Sequence, residues 1–262
     1  ALAVAILAAR ANPQISQAAI IASQASSIQS QLNYTRDHER EADRVGFMVL
    51  ERAGFDAQAM ALFFERMQRA TRFYETNAPA YLRTHPLTYE RIADMQSRAQ
   101  YLPYRQVPDS LEFQLMRAKI KAAQDNPQEA LVFFEESLGE KKYLSEAASR
   151  YGLVAALIRV KAYARAGKEL QTLRKALPDN PAVQTLAGRY YVAIGDSAAA
   201  LQTYRDALKS YPGYRALVYD YAEVLLASRQ PGEALKLVES RLQYSVSDYQ
   251  MYELQAKCYA AL

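Results

Sequence analysis

The sequence contains few of the residues that most often carry chemistry, with one cysteine, two histidines and no tryptophan among its 262 residues. Because Cys258 stands alone, the chain holds neither a disulfide framework nor a CxxC metal site. With His38 and His85 as its only histidines, it contains no H-E-x-x-H motif and no Ser-His-Asp arrangement. A glycine-rich phosphate loop and a dinucleotide fingerprint are also missing, so the candidate chemistry narrows to carboxylates and the two histidines.

Charges of the two signs are nearly balanced and are well mixed along the chain. The sequence has 32 basic and 28 acidic side chains, a formal net charge of +4, and no run of lysine and arginine that could follow a phosphate backbone. Nucleic acid is therefore not an expected partner. Half of the residues are apolar, which is enough to build a core.

The first residues form an apolar run that is too short to span a bilayer. Residues 1–9 lack a basic start, and residues 10–13 close the run with a helix stop. We interpret the run as part of a buried or interface-seeking helix whose beginning has been cut away, so that the chain resembles a fragment. Residues 1–32 are too polar to cross a membrane, but a peripheral contact with a membrane surface through them stays open.

Nearly every segment has helical periodicity, and glycine and proline fall between segments, so the predicted fold class is all-α. A helix from Gln14 to Leu32 is expected to lead through residues 33–35 into the helix that carries Glu39, which Gly54 ends. After a loop over residues 74–84, a helix is expected from Leu87 to Gln100. The helix before that loop is expected to bury Met60, Phe63, Phe64 and Met67.

From residue 109 onward the pattern changes to repeated helical hairpins. Residues 181–212 match a tetratricopeptide repeat closely, because small residues let two helices approach and aromatic residues fill the groove between hairpins. The matching positions are Gly188, Tyr191, Ala200, Tyr204, Ala207 and Pro212. Residues 111–138 and 215–243 repeat the scheme, and residues 145–177 are a shortened copy with an expected turn at Gly167-Lys168. About four hairpins predict a helical solenoid with a concave surface.

Two carboxylates lie on the apolar side of the helix from Arg36 to Ala53. At 3.6 residues per turn, Glu39 and Asp43 share one stripe, while Glu41 points to the opposite, wet face. The other members of the stripe are Ala42, Gly46, Val49, Leu50 and Ala53. Burying a carboxylate costs on the order of several kcal/mol unless it is paired, hydrogen-bonded or bound to a cation. Periodicity favours ion pairs with arginines such as Arg36, and leaves a bound cation as the alternative.

The two histidines differ in their expected surroundings. His38 lies about 100° away from the stripe of Glu39, so we expect it on the surface. His85 precedes Pro86 at a helix start, where a histidine more often caps the helix than binds a metal. The residues alone leave both roles open for His85.

Three segments and the repeats, in this order, resemble the BepA-type periplasmic metalloproteases, which are bacterial relatives of the CAAX prenyl proteases. Residues 35–46 contain the E-x-x-A-D motif at Glu39, Ala42 and Asp43, residues 53–56 read A-G-F-D, and residues 84–87 read T-H-P-L. The resemblance covers essentially the whole chain. It implies that residues 1–102 are the C-terminal part of a zinc metalloprotease domain, 103–108 a proline-rich linker and 109–262 the tetratricopeptide-repeat domain.

The resemblance also implies roles for single residues. Glu39 would be the third protein ligand of a catalytic zinc. Asp43 would not touch the zinc but would orient a histidine that binds it. His85 would fill the remaining zinc position and hold the enzyme closed. The implied partners, held by the repeats, are outer-membrane β-barrel proteins and their assembly machinery in the bacterial periplasm.

One departure from the family pattern decides what the chain is expected to do alone. Without H-E-x-x-H, the two zinc histidines and the general-base glutamate are expected upstream of Ala1, so no catalytic residue lies in this chain. Since it offers only Glu39 and His85 as metal ligands, we predict that the isolated chain neither holds zinc tightly nor cleaves peptides.

Two hypotheses of function follow. In the first, the chain is the C-terminal part of a zinc-dependent metalloendopeptidase involved in outer-membrane protein quality control and assembly, and its repeats bind substrate or partner. In the second, it is a non-enzymatic tetratricopeptide-repeat adaptor for extended polypeptides, and the inward carboxylates are members of simple ion pairs.

Overall fold

The computed structural model describes residues 13–71, 89–103, 105, 107–124, 126–244 and 247–262. These residues form α-helices and no strand, which confirms the all-α fold class. The chain divides into two compact units, Ala1–Pro108 and Asp109–Leu262. Each unit has its own hydrophobic core.

The first unit contains three described helices, α1 (Pro13–Arg52), α2 (Gln58–Thr71) and α3 (Tyr89–Ala99). The short helix α3 packs against both α1 and α2. Its Ile92 and Met95 are buried beside Phe47 of α1 and Phe64 of α2. Because α3 contacts both other helices of this core, the side chains on its inward face reach the buried side of α1.

The first helix is longer than the sequence pattern predicted. It continues through residues 33–35, where we expected a connection, since no glycine or proline interrupts hydrogen bonding there. Gly54 ends it as predicted, with a φ of 81° that favours glycine. Phe64 is buried as expected, but the prediction for Phe63 was wrong, because its side chain is 57% exposed. The predicted loop over 74–84 lies outside the described residues.

The second unit contains nine described helices in the order of stacked hairpins. They are α4 (Leu111–Ala122), α5 (Pro127–Gly139), α6 (Glu146–Arg159), α7 (Tyr163–Ala176), α8 (Pro181–Ala193), α9 (Ser197–Ser210), α10 (Arg215–Ala227), α11 (Pro231–Leu242) and α12 (Tyr249–Ala261). The first helices of successive hairpins, α4, α6, α8 and α10, contact one another in turn, and α12 follows α10. This packing of neighbours only is the arrangement of a helical solenoid.

Small residues opposite aromatic rings hold the hairpins together. In the best-marked repeat Tyr204 is fully buried, and its ring lies where a Cβ atom on Gly188 would be. Ala200 and Ala207 are buried on the same helix as Tyr204. In the preceding repeats the ring of Phe134 occupies the corresponding space at Gly152. The predicted small and aromatic positions therefore form the helix contacts that the repeat requires.

The turn of the second hairpin does not lie where the sequence predicted it. Gly167 is inside α7, and the chain turns instead near Lys161, which has a φ of 61°. A Cβ atom on Gly167 would lie 2.5 Å from the hydroxyl oxygen of Tyr190. Gly167 thus leaves room for an aromatic side chain of the next repeat, and the predicted turn at Gly167-Lys168 was wrong.

One ionic cluster joins α10 to the start of α12. The Asp248 carboxylate is buried, accepts a hydrogen bond from the Tyr219 hydroxyl and lies 2.8 Å from the Arg215 guanidinium. The hydrogen bond from Tyr219 and the charge of Arg215 hold the pKa of Asp248 below its ordinary value.

We expect Gly188→Ala to lower the free energy of unfolding by about 1–3 kcal/mol, because the new methyl group overlaps the buried Tyr204 ring. Gly232→Ala is the matched control, since a Cβ atom on Gly232 meets nothing within 4 Å and α11 is a regular helix there. Alanine should stabilise that site by about 0.5–1 kcal/mol. Urea unfolding followed by circular dichroism measures both. Equal effects of the two substitutions would contradict the packing described.

We expect the stabilisation from Asp248 to depend on pH. Its pKa is lower in the folded than in the unfolded chain, so its contribution is present above the unfolded value of about 3.9 and is lost as the pH falls through the folded value. The difference in unfolding free energy between the wild type and Asp248→Asn should therefore shrink from neutral pH to acid pH. Urea unfolding of both proteins at several pH values measures this difference, and a difference that stays constant would contradict the contacts described for Asp248.

Candidate functional site

The candidate site lies where α3 meets the C-terminal half of α1. Glu39 and Asp43 are one helical turn apart on α1, and their residues are only 9% and 4% exposed. Arg91, near the start of α3, lies across from both. Burial of two carboxylates beside one guanidinium sets this cluster apart from the surface ion pairs of the unit.

Arg91 binds Asp43 through two parallel hydrogen bonds. Its Nε donates to Oδ2 at 2.6 Å and its Nη2 donates to Oδ1 at 2.8 Å. The third nitrogen, Nη1, lies 2.9 Å from Oε2 of Glu39. The guanidinium carbon is also 5.3 Å from the ring centroid of Phe64, a cation–π distance. One planar guanidinium thus fixes both carboxylates and is itself held by the core.

The opposite face of α1 has different electrostatics. Glu41 is exposed and accepts two hydrogen bonds from Arg44, at 2.7 and 2.6 Å, three residues later. These hydrogen bonds hold the pKa of Glu41 below its ordinary value. Such an exposed pair contributes little to stability, because water solvates both of its partners.

The helical phase predicted from the sequence is correct for the acidic residues. Glu39 and Asp43 face inward and Glu41 faces solvent, as expected. The expected ion pair with an arginine is confirmed, but the arginine is Arg91 and not Arg36, which is exposed. Sequence reasoning missed Arg91, whose only local signal is its position in the first turn of a helix that follows the T-H-P-L segment.

The apolar part of the stripe is rotated from its predicted position. Ala42 and Val49 are exposed, whereas Phe47, which was not assigned to the stripe, is buried against α2 and α3. Packing within this unit therefore buries Glu39 and Asp43 of the predicted stripe but leaves Ala42 and Val49 exposed. His38 is exposed, as expected, and its ring packs edge-on against Tyr34 at a centroid distance of 4.1 Å.

The described residues contain no complete metal site. No group of three histidine, cysteine, aspartate or glutamate side chains lies close enough to hold a metal ion in the part of the chain that the structure describes. A glutamate carboxylate such as Glu39 is an ordinary zinc ligand. Both oxygens of Asp43 accept hydrogen bonds from Arg91, and the contact with a histidine ligand that the resemblance implies stays a prediction. His85 lies outside the described residues.

We expect Arg91→Met to lower the free energy of unfolding by about 3–5 kcal/mol, because it removes the cation that pairs with two buried carboxylates. Arg98→Met on the same helix is the control, since its pair with Asp94 is surface-exposed and worth about 1 kcal/mol or less.

The triple variant Glu39→Gln, Asp43→Asn, Arg91→Met should recover most of the loss, because the unpaired charges are then removed as well. Thermal or urea unfolding of the 262-residue chain measures all three. Equal losses for Arg91→Met and Arg98→Met would show that the buried cluster does not stabilise the fold.

Comparison with known families divides the chain in two. Residues 1–99 match the model of peptidase family M48, and residues 121–190 and 191–258 match that of the tetratricopeptide repeat. The Glu39, Asp43 and Arg91 cluster lies within the M48 match.

Two curated relatives match this chain over most of its length. The beta-barrel assembly-enhancing protease of Escherichia coli (strain K12) is 30% identical over 260 residues, which are 98% of this chain and 53% of that protein. A Vibrio cholerae protein that carries the same name in provisional form is 40% identical over 182 residues, 69% of this chain and 37% of that protein. The chain thus spans about half or less of the length of these relatives.

Among solved structures, MamA MSR-1 C2 is 18% identical and superposes with a TM-score of 0.43 over 57% of this chain and 82% of that chain. That similarity is too low to support an argument. The two family matches and the curated relatives agree with the order of the two units. The chain therefore belongs to the tetratricopeptide-repeat family and, with its M48 segment, is similar to the beta-barrel assembly-enhancing proteases.

Proposed function

We propose that the chain is the C-terminal part of a zinc-dependent metalloendopeptidase of the bacterial periplasm that acts in outer-membrane protein quality control and assembly. The observation that carries this proposal is the buried cluster of Glu39, Asp43 and Arg91 inside the segment that matches an M48 peptidase. The names of the relatives support a role in β-barrel assembly.

Glu39 is proposed as a zinc ligand in this enzyme, with His85 as a further ligand from the T-H-P-L segment. Bound zinc would polarise a peptide carbonyl and lower the pKa of a water molecule. The chain's own contribution is orientation, because Asp43 holds Arg91 through two hydrogen bonds and Arg91 holds Glu39. The three side chains together, two carboxylates and one guanidinium, carry a net charge of −1, the sign that favours a bound cation.

The domain assignment belongs to the same proposal. Residues 1–102 are proposed as the peptidase part, residues 103–108 as a linker and residues 109–262 as the tetratricopeptide-repeat domain. The compact units, which separate between Pro108 and Asp109, and the ends of the family matches support these bounds. None of the described helices is long and apolar enough to cross a membrane.

The repeats are proposed to hold polypeptide in a groove along α8, α10 and α12. This groove has a volume of about 600 Å³ and lies on the helices that contact one another in turn. Tyr204 and Tyr219 line it together with acidic and basic side chains, and Arg189 is bound to Asp220 on its wall. Side chains of both charges beside aromatic surface suit an extended polypeptide of mixed sequence.

A non-enzymatic adaptor is the second candidate function. The observation that favours it is that Arg91 pairs with both carboxylates, which accounts for their burial without a metal. In this case the groove of the repeats would carry the whole function.

We expect Glu39→Gln to lower proteolysis at least about 100-fold in the native gene product that contains this chain, because a metal ligand is lost. Glu41→Gln, two residues away on the exposed face of α1, should keep wild-type activity. Cleavage of an unfolded β-barrel protein, zinc content and the melting temperature are measured for both variants.

Full proteolysis by a folded Glu39→Gln protein would refute the ligand assignment. Absence of both cleavage and zinc from the wild type, with polypeptide still bound by the repeats, would establish the adaptor instead. Zinc titration of the isolated 262-residue chain should show no tight stoichiometric binding, and tight binding lost in Glu39→Gln would contradict the expectation that its site is incomplete.

A further inference from the structure

The first hairpin of the second unit is open, unlike those that follow. In the later hairpins the two helices pack closely against each other, as α8 packs against α9. In the first hairpin, α4 and α5 contact each other only slightly, and α6 packs against both. Helix α6 thus takes up the helix contacts that α4 and α5 do not make with each other. A groove forms where α4 and α5 diverge.

The floor of this groove is apolar and partly uncovered. Its volume is about 290 Å³, at the lower end of the range of roughly 300–1,000 Å³ in which proteins bury small ligands. Ala118 of α4, Phe134 of α5 and Ala148 of α6 form a buried floor. Phe133 and Leu144 line the rim, and their side chains are 48% and 76% exposed. The space suits one large apolar side chain and its neighbours in an extended segment.

Three cations line the groove, and its described lining residues include no carboxylate. Two of these cations form exposed ion pairs just outside the lining, Arg117 with Asp109 at 3.6 Å and Lys142 with Glu140 at 2.5 Å. Arg117 and Lys121 stand one turn apart on α4, and Lys142 lies on the opposite side, before α6. The Lys121 ammonium is 5.0 Å from the centroid of the Phe133 ring, so positive charge lies directly beside the apolar rim. The groove of α8, α10 and α12 differs, because it includes Asp220, Glu223 and Glu253.

We propose that the groove between α4 and α5 binds an internal, extended segment of another protein in which acidic residues flank a large apolar side chain. The apolar side chain occupies the floor over Phe134, and carboxylates on its two sides meet the cations of α4 and Lys142. Because the ion pairs of Arg117 and Lys142 are exposed, carboxylates of the bound segment can replace Asp109 and Glu140 as their partners, and Lys121 adds a further positive charge. The inference rests on the proposed function only in that the repeats bind polypeptide, and it adds a second site with a narrower specificity.

The test measures binding of a short fluorescent peptide to the 262-residue chain by fluorescence anisotropy. The probe has a central phenylalanine flanked on each side by a pair of glutamates, with both ends blocked. Replacing Arg117, Lys121 and Lys142 with glutamine should weaken binding about tenfold, since three partly exposed charge contacts are lost. Replacing Lys168, Lys175 and Lys236 with glutamine removes the same charge from exposed positions outside the groove and should change affinity less than about twofold.

Further probes separate the parts of the proposal. Peptides with glutamine for glutamate, or serine for phenylalanine, should each bind at least about tenfold more weakly. A photo-crosslinking residue at Leu144 should capture the acidic peptide, and one at Val192 in the groove of α8, α10 and α12 should not. Unchanged melting temperatures of the variants show that the fold is intact.

Three outcomes would overturn the proposal: equal binding of the glutamine peptide, equal loss in the two triple variants, or capture at Val192 instead of Leu144. Capture at Val192 would leave the proposed function of the repeats standing, while no binding of any polypeptide by the chain would remove both.

Discussion

The contact between Arg91 and the two carboxylates of α1 is the interaction on which the first unit depends. Helix α3 has only eleven residues and cannot be stable alone, so it relies on packing against α1 and α2. Arg91 joins that packing to the buried acids, because its guanidinium lies over Phe64 while its nitrogens bind Asp43 and Glu39. The cluster therefore positions α3 and, by the same bonds, fixes the orientation of Glu39.

The second unit is stabilised in a different way. Apart from the contact of Asp248 with Tyr219 and Arg215, its cores rely on glycines that admit an aromatic ring from an adjacent helix, Tyr204 of α9 at Gly188 and Phe134 of α5 at Gly152. Such contacts are nearly independent of pH and salt, whereas the Arg91 cluster depends on charge. Each hairpin also contacts only its neighbours. The packing of α6 against both α4 and α5 therefore opens a groove in the first hairpin without altering distant repeats.

The sequence was sufficient for several features that depend on residues close together in the chain, although it misplaced Phe63 and the apolar part of the stripe on α1. Helical phase placed Glu39 and Asp43 inward, and the repeat pattern assigned Gly188 and Tyr204 to the small and aromatic positions at which helices contact. It was insufficient where the partner is remote, since Arg91 is separated from Asp43 by 48 residues. The error at Gly167 has a related cause, because a glycine that ends a helix and one that admits a ring from another repeat have the same local pattern. The open first hairpin was not predictable either, because it depends on which neighbour α6 packs against.

The choice between a metal ligand and a structural ion pair at Glu39 depends on what Arg91 does to that carboxylate. Arginine keeps its charge at any pH that proteins tolerate, so a metal at Glu39 would have to share the carboxylate with a permanent cation. Asp43 reduces this competition, because it takes two of the guanidinium's hydrogen bonds and most directly balances its charge. A lone arginine beside Glu39 would favour the ion pair, whereas an arginine already bound by a second acid acts mainly to orient Glu39. The presence of Asp43 one turn away therefore favours the metal-ligand role that we propose.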